Sequence, residues 1–289
     1  MNRNAIIMAA GMSTRFVPLS METPKALLRV KGEILIERQI EQLHEAGIRE
    51  IVVVVGYLKE KFQYLEEKYG VILVENSLFR TKNNHSTLYV ARKYLKNTFI
   101  CSGDNYFTEN VFLEETTEAY YASVFEAGTT DEWCLDVDTD GRITQVQIGG
   151  KDSWVMKGHV YFNEEFSRKI IPYLSEAYSN EEKSDLYWEE IFMEHLAEMK
   201  MYIHKYSAGI IEEFDSIEEL RDFDQTYVLH SGNKVLEEIC EKLNCQENEI
   251  VEIRPIKKEG EVSGFEFSYQ YQKYSYLFCE GLGITEGGN

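Results

Sequence analysis

The sequence predicts an α/β protein: a Rossmann-like, mostly parallel mixed sheet flanked by helices, followed by a small α+β C-terminal appendage. Three observations lead there. Apolar runs of strand length alternate with apolar positions at helical spacing through the first hundred residues. One of those runs, Ile51-Val52-Val53-Val54-Val55, is continuously β-branched, the pattern of a strand covered on both faces. After His230-Ser231-Gly232-Asn233, a turn-forming segment, the alternation gives way to one helix and an aromatic, hairpin-like region.

In chain order, Ala5 to Ala9 reads as a buried strand, and Ile34, Ile36, Ile40, Leu43 and Ile48 lie close to helical spacing. After the β-branched strand, Leu58, Phe62, Leu65 and Tyr69 make one helix face, and Val71 to Val74 is the next strand. Leu88 to Leu95 reads as helix and Phe99 to Cys101 as strand. Such alternation makes right-handed βαβ units, whose ligands bind beyond the carboxyl ends of the strands. The segments just after the strands therefore matter most: 10–25, 56–57, 75–86 and 102–106.

Four antiparallel strands separated by turns are expected at 121–126, 133–137, 143–148 and 154–162. Helices at 163–178 and 187–199 and a strand at 201–206 follow. Ser216 and Glu219 have the spacing of a capping box, predicting a helix that ends near Leu229. These elements place a main domain at 1–229 and a second at 230–289. Within the second, a helix is expected at 234–243, a strand at 250–256 and the aromatic region at 265–278, with a frayed end from Gly281 to Asn289.

Charge narrows the function. The chain of 289 residues has 30 basic against 50 acidic residues, a net charge of -20. That balance excludes nucleic acid and an anionic membrane surface as main partners. No apolar run is long enough to span a bilayer, and the apolar run before Gly11 is too short for a signal peptide. Five scattered cysteines without a CxxC pair suggest neither a disulfide framework nor a zinc site. A cytoplasmic enzyme is the expected class. Against the acidic background, residues 1–31 carry five basic residues and one acid, which suits an anionic small ligand.

The basic segment holds Ala9-Ala10-Gly11-Met12-Ser13-Thr14-Arg15-Phe16-Val17-Pro18 and then Thr23-Pro24-Lys25-Ala26-Leu27. Small residues let backbone N–H groups approach an anion, and Arg15 and Lys25 add charge. Neither the dinucleotide fingerprint nor the G-x-x-x-x-G-K-S/T loop is present. The string resembles the signature of nucleotidyltransferases that activate sugar phosphates and phospho-alcohols, with Ser13 where glycine is commonest. The resemblance implies the nucleotidyltransferase fold. It also implies that Ala9, Ala10, Gly11, Met12, Ser13, Thr14 and Arg15 wrap a nucleoside triphosphate. Lys25 and Arg15 would offset charge at the reacting phosphates, and Gly56 and Tyr57 would line the base.

Asp104 follows a predicted strand, and Asp215 precedes the capped helix. Mg²⁺ takes few protein carboxylates and completes its shell with water and phosphate. In the family such a pair holds Mg²⁺ on the triphosphate, and these two positions match; Asp215 also reads as a helix-start carboxylate. Asp136-Val137-Asp138-Thr139-Asp140-Gly141 opens like a calcium loop, but position twelve is Gln147 and strands flank it, so a turn between strands is expected.

Thr130-Asp131-Glu132-Trp133 and Ser184-Asp185-Leu186-Tyr187-Trp188-Glu189-Glu190 combine aromatic faces, which attract ammonium groups, with carboxylates that add long-range attraction. Together with residues 54–60, Asn83, Asn84, Ser86 and Asp104-Asn105-Tyr106, they resemble bacterial CTP:phosphocholine cytidylyltransferases over residues 4–229. The resemblance implies that Asn83, Asn84 and Ser86 sit near the nucleotide. It implies that Trp133, Tyr187 and Asp185 surround the choline ammonium, with Trp188 and Glu132 beside them. Tyr187 and Trp188 read equally as core residues of a helix, since neighbours on a helix point different ways. His85, His159 and His204 read as ordinary hydrogen-bonded histidines.

The expected reaction joins CTP and phosphocholine into CDP-choline and pyrophosphate with Mg²⁺. The alternatives are cytidylyl transfer to 2-aminoethylphosphonate or phosphoethanolamine, a sugar-phosphate acceptor, and a non-catalytic nucleotide-binding regulator. Residues 253–260, 265–267 and 273–276 resemble the opening strands of choline-kinase-like phosphotransferases. The second domain thus reads as a truncated kinase lobe kept for packing or dimerisation, dispensable for activity, or as an unrelated appendage.

Overall fold

A computed structural model describes residues 3–284. Its contacts divide the chain into two units: one runs to Gly11 and resumes over Leu35–Glu213, and the other joins Met12–Ile34 to the chain from Phe214 onward. This division does not follow a boundary at 229–230.

The first unit is built on a seven-stranded sheet ordered Tyr202–Tyr206, Tyr120–Val137, Ile143–Phe162, Asn97–Ser102, Arg3–Ala9, Ile51–Val55 and Ile72–Glu75. The last four strands are mutually parallel. Ala9 pairs with Val55 and Val55 with Glu75, while Met8 pairs with Ser102. Their carboxyl ends therefore open at one edge. Because side chains alternate along a strand, Ile6, Val52, Val54 and Ile100 share a core cluster with Leu88, Phe166, Ile170, Trp188 and Phe192 from the helices. On Leu35–Glu45, Gln39 is fully buried, and its Nε2 donates to the carbonyls of Ser102 (2.9 Å) and Asn105 (2.8 Å). One amide thus grips both flanks of the turn that carries Asp104.

The strands at 3–9, 51–55, 72–75 and 97–102 stand where the sequence expects them. Elsewhere the elements differ. The expected helix at 58–69 is two short pieces: Lys59–Phe62, a 3-10 turn that starts after left-handed Leu58, and the α-helix Tyr64–Tyr69. The helix expected at 88–95 begins earlier, at Asn84, where the Asn83 side chain accepts the Asn84 N–H. The four expected strands and their turns are two long strands, Tyr120–Val137 and Ile143–Phe162. Gly128 and Gly149, with positive φ, lie where the pairing register shifts, so they bend a continuous ladder. Through those bends Cys134 pairs with both Gln147 and Val155. The Asp138–Gly141 segment is the expected turn: Asp138 Oδ1 accepts from the N–H groups of Asp140 and Arg142, both at 3.0 Å.

The second unit holds a short hairpin of Arg29–Val30 and Glu33–Ile34, helices Ile217–Phe223 and Lys234–Leu243, and a four-stranded antiparallel sheet. The helix from 217 stops well before Leu229, giving way to a short 3-10 turn at Gln225–Tyr227. The sheet runs Val251–Lys258, Glu261–Tyr269, Gln272–Leu277 and Gly281–Ile284. Gly281–Ile284 is therefore a strand and not a frayed end; the expected fraying of 285–289 lies outside the described residues. Buried Arg221 ties the unit together, donating to the carbonyls of Glu247 (2.7 Å), Ile250 (2.9 Å) and Tyr227 (3.3 Å). Tyr227 OH donates to the Arg29 carbonyl at 3.0 Å, and Asn233 Nδ2 reaches the Pro18 carbonyl at 3.4 Å. The Val251–Lys258 strand packs beside Thr14–Phe16.

Candidate active site

In the first unit the floor of the site is the open edge of the parallel strands. Tyr57 N–H donates to the Ala10 carbonyl at 3.0 Å and Gly103 N–H to the Met8 carbonyl at 2.9 Å. Gly56 permits this approach: a Cβ there would sit 2.8 Å from both the Ala10 carbonyl oxygen and the Phe79 ring. A Cβ on Gly11 would meet nothing within 4 Å, so the loop opens at that point. The Tyr57 and Phe79 rings lie with centroids 6.5 Å apart, tilted at 57°, so Phe79 packs beside a residue expected at the base. Asp104 stands on the turn after Asn97–Ser102. Next to it the Asn105 amide is fully buried, with neither its oxygen nor its nitrogen hydrogen-bonded within the protein. The Asp104 carboxylate, half-buried on this turn, offers the hard oxygen donors that a hydrated divalent ion takes.

In the second unit Ser13 takes the left-handed conformation (φ 48°), and its carbonyl accepts the Phe16 N–H at 2.9 Å. That turn presents Arg15, whose Nη1 lies 2.9 Å from Asp215 Oδ2. Asp215 is held in turn by its backbone, whose N–H donates to Glu219 Oε2 at 2.8 Å. The expected capping box is thus shifted by one residue on its acidic arm, while Ser216 Oγ still accepts the Glu219 N–H. Lys25 is 6% exposed, and its ammonium lies 4.8 Å from the Phe16 ring centroid. The ring face holds the charge electrostatically.

The residues expected around the acceptor lie in the first unit. Trp133 and Tyr187 meet edge to face, with ring centroids 5.8 Å apart. Tyr187 is exposed and starts Trp188–Glu194, where its N–H donates to Glu190 Oε2 at 2.7 Å. Asp185 and Glu132 are exposed near it in sequence and on the strand respectively. The segment 82–85 pins this loop residue by residue. Lys82 Nζ reaches Ser184 Oγ (3.2 Å) and Glu181 (3.3 Å), and Asn83 Nδ2 donates to the Asp185 carbonyl (2.9 Å). Asn84 Oδ1 accepts the Trp188 N–H (2.8 Å), and His85 Nδ1 sits 2.6 Å from the Leu186 carbonyl.

Two expected ligand contacts are not available. Trp188 is fully buried, stacked on Tyr121 and edge-on to Phe162, so it belongs to the core as the helix reading has it. Ser86 is fully buried, donating to the Asn83 carbonyl at 2.7 Å and accepting from Asn76 Nδ2 at 2.9 Å, and it shapes the 76–83 loop from inside. Asn84 also serves the protein: besides Trp188, it donates to Glu189 Oε2 at 3.1 Å. The histidines are hydrogen-bonded, His159 to Tyr120 OH at 2.8 Å, while His204 lies 3.2 Å from Glu114. Burial lowers the pKa of His85 and takes that of His159 to about 3, so both are neutral.

Glu189 lies in the aromatic and acidic string that the sequence singles out, where it has no role of its own. It keeps partial solvent access, yet burial pushes its pKa up to about 7 against the lowering effect of its bonds to Asn84 and Tyr121. The one available signal was its place in the aromatic and acidic string after Trp188.

Comparison with known proteins places the chain in a class. Residues 5–186 match the MobA-like NTP transferase domain, and the chain belongs to that family of nucleotidyltransferases. It is similar to the choline-phosphate cytidylyltransferase of Streptococcus pneumoniae, 37% identical over 221 residues, covering 76% of this chain and 96% of that one. It is also similar to the 2-aminoethylphosphonate cytidylyltransferase of Lancefieldella rimae, 41% identical over 229 residues, covering 78% and 93%. Among solved structures, the CTP:phosphocholine cytidylyltransferase from Streptococcus pneumoniae superposes with a TM-score of 0.75 at 36% identity, over 78% of this chain and 99% of that one. The fold is the nucleotidyltransferase α/β fold predicted from the sequence, with extra C-terminal antiparallel strands. Among the described residues no helix is long and apolar enough to cross a membrane.

Proposed function

We propose that this enzyme transfers a cytidylyl group from CTP to phosphocholine. A phosphate oxygen of phosphocholine forms a bond to the α-phosphorus, the bond to the β-phosphate bridge breaks, and pyrophosphate leaves with that electron pair. The nucleophile is already an anion near neutral pH, so the protein's work is positioning and charge neutralisation. The loop from Ala9 to Thr14 binds the triphosphate through backbone N–H groups, Arg15 and Lys25 offset its charge, and Gly56, Tyr57 and Asn83 serve the nucleotide side. Asp104 and Asp215 would hold Mg²⁺, which when bound neutralises phosphate charge. Trp133 and Tyr187 receive the ammonium, with Asp185 and Glu132 adding negative potential.

The observation that carries this reading is the edge-to-face pair of Trp133, on its strand, with Tyr187, at the end of a loop pinned by residues 82–85. A sugar hydroxyl gains little from two aromatic faces, whereas a quaternary ammonium gains roughly 0.5–2 kcal/mol from each. Half-buried Glu189 and the Lancefieldella relative favour a second reading, transfer to 2-aminoethylphosphonate, whose primary ammonium can donate hydrogen bonds to a carboxylate. We place the catalytic domain at 1–229, with 230–289 as an appendage that supports it. The test is pyrophosphate release with CTP, UTP, ATP and GTP against phosphocholine, phosphoethanolamine, 2-aminoethylphosphonate and glucose 1-phosphate. Release with CTP and phosphocholine foremost supports the proposal; release only with glucose 1-phosphate, or with none, overturns it.

A further inference from the structure

Cys240 and Cys245 are brought together by the way their helix ends. Asn244 takes the left-handed conformation (φ 51°) just after Lys234–Leu243. The Cys240 carbonyl accepts the N–H groups of both Asn244 and Cys245, the latter at 3.1 Å. In this kind of helix stop the chain folds back over the last turn, and the residue after the left-handed one meets a side chain of that turn. Those two positions commonly hold an apolar pair; here both are cysteine. Both thiols are free and partly exposed, whereas Cys101 and Cys134 are buried. Burial raises the pKa of both, that of Cys240 to about 12. The hydrogen bond between them raises Cys240 further and lowers Cys245, so Cys240 is the donor and Cys245 the acceptor. Arg221 faces Cys240 with positive charge, while Glu247 and Glu249 face the pair with negative charge. The pair lies beyond residues 5–186, which carry the family match, and the function proposed above gives it no role.

We propose that Cys240 and Cys245 form a redox modification site, a dithiol that a small-molecule disulfide oxidises to an intramolecular disulfide. Cys245 loses its proton to solvent and attacks one sulfur of the oxidant. The oxidant's S–S bond breaks, and one of its halves leaves with the electron pair and takes a proton from water. Cys240 then gives up its proton and attacks Cys245 Sγ, and the second half leaves in the same way. Two electrons pass from the pair to the oxidant, and one disulfide replaces another. The new bond staples the end of Lys234–Leu243 to the segment whose Glu247 and Ile250 carbonyls hold buried Arg221. Because burial stabilises neither thiolate, the bond forms slowly and, once formed, resists reduction.

The probe is glutathione, as an equimolar millimolar mixture of its oxidised and reduced forms, applied to the full-length chain at pH 8. Free thiols are then capped with N-ethylmaleimide, and the chain is digested with trypsin without reduction. Trypsin cuts after Lys242, between the two cysteines, so the peptides on either side stay joined only through a disulfide. The joined peptides are expected in at least about tenfold excess over the capped dithiol. The oxidised chain is expected to melt at least about 3 °C above the reduced one. In Cys240→Ser, glutathione is expected to remain on Cys245, because the thiol that would displace it is gone. Caps on both cysteines after equilibration, glutathione left on Cys245 of the wild-type chain, a bond from either cysteine to exposed Cys279, or a Tm that oxidation leaves unchanged or lowers overturns the proposal. The wild-type peptide map decides the matter even where the variant fails to fold. None of these readouts depends on turnover, so the cytidylyltransferase reading stands or falls separately.

Discussion

Arg15 Nη1 lies 2.9 Å from Asp215 Oδ2, so a residue expected on the triphosphate and one expected on the metal neutralise each other. The pair is open to solvent, with the side chains 70% and 42% exposed. An ion pair of that kind stabilises a fold by less than about 1 kcal/mol, and it exchanges readily for a ligand. The pair holds the Arg15 guanidinium on Asp215, and a ligand that takes either partner has to break it. Asp215→Asn is expected to leave Tm within about 2 °C of wild type while lowering kcat/KM for CTP at least tenfold. Thermal melts beside pyrophosphate-release kinetics check this; a large Tm loss with normal kinetics would make the pair structural.

Lys25 is nearly out of solvent, beside the Phe16 ring, and Asp104 is bracketed by the grip of Gln39 on Ser102 and Asn105. Both are placed before any ligand arrives, which is what transition-state stabilisation requires. Lys25→Ala and Asp104→Ala are each expected to cut kcat about 100-fold or more. Gln39→Leu leaves every catalytic group in place and removes only the grip. It is expected to lower kcat about tenfold with KM for the acceptor unchanged. Equal effects on kcat and on the melting temperature of the ligand-free chain would point to folding instead of positioning.

The parallel strands and the residues at their ends were legible because burial on both faces leaves a continuous apolar run, and topology then assigns the ends. Asp104 and Gly56 follow from that rule. What escaped depends on contacts between distant segments. Gln39 sits on a helix whose polar position looks like any other, and Glu189 acquires its character only when Asn84 and Tyr121 close on it. Trp188 was placed at the ligand because composition cannot say which of two adjacent aromatics faces inward; the start of the helix at that residue sends it to the core. Gly128 and Gly149 looked like turns because positive φ serves a bulge as well as a reversal.

Trp133 is partly buried, and its ring stands at 78° to that of Tyr187 with centroids 5.8 Å apart. Trp133→Ala is expected to raise KM for phosphocholine roughly 3- to 30-fold, the equivalent of about 0.5–2 kcal/mol, with kcat and KM for CTP nearly unchanged. Trp133→Phe is expected to recover part of the loss. A change in KM for CTP of the same size would place Trp133 on the nucleotide side.

Glu189 also makes a prediction about stability. Burial pushes its pKa in the fold up to about 7, against an ordinary value of 4.5. The folded chain therefore binds more protons than the unfolded chain between those values, and stability falls as pH rises through that window. The penalty is complete above pH 7 and absent below about pH 4.5, and it amounts to about 2–3 kcal/mol. Glu189→Gln is expected to raise Tm by several degrees at pH 8 and to change it little at pH 5. Melting curves of both proteins across that range read the difference directly; a pH-independent offset would remove the case for a buried titrating carboxylate.

Removing 231–289 tests what the C-terminal residues do. The sequence reading made them dispensable. In the structure Arg221 is buried, and two of its three hydrogen-bond partners, the carbonyls of Glu247 and Ile250, come from that segment. Asn233 reaches the Pro18 carbonyl, and the Val251–Lys258 strand packs beside Thr14–Phe16, the turn that presents Arg15. A buried guanidinium stripped of two charge-assisted hydrogen bonds loses roughly 1.5–3 kcal/mol for each. The loop loses its packing at the same time. A chain ending at His230 is therefore expected to melt at least 10 °C lower and to show KM for CTP raised about tenfold, with the acceptor KM less affected. Arg221→Met, which keeps the length of the side chain without its donors, is expected to reproduce part of the melting loss in the full-length chain. Unchanged Tm and CTP kinetics in the shortened chain would return 231–289 to the status of a passive appendage.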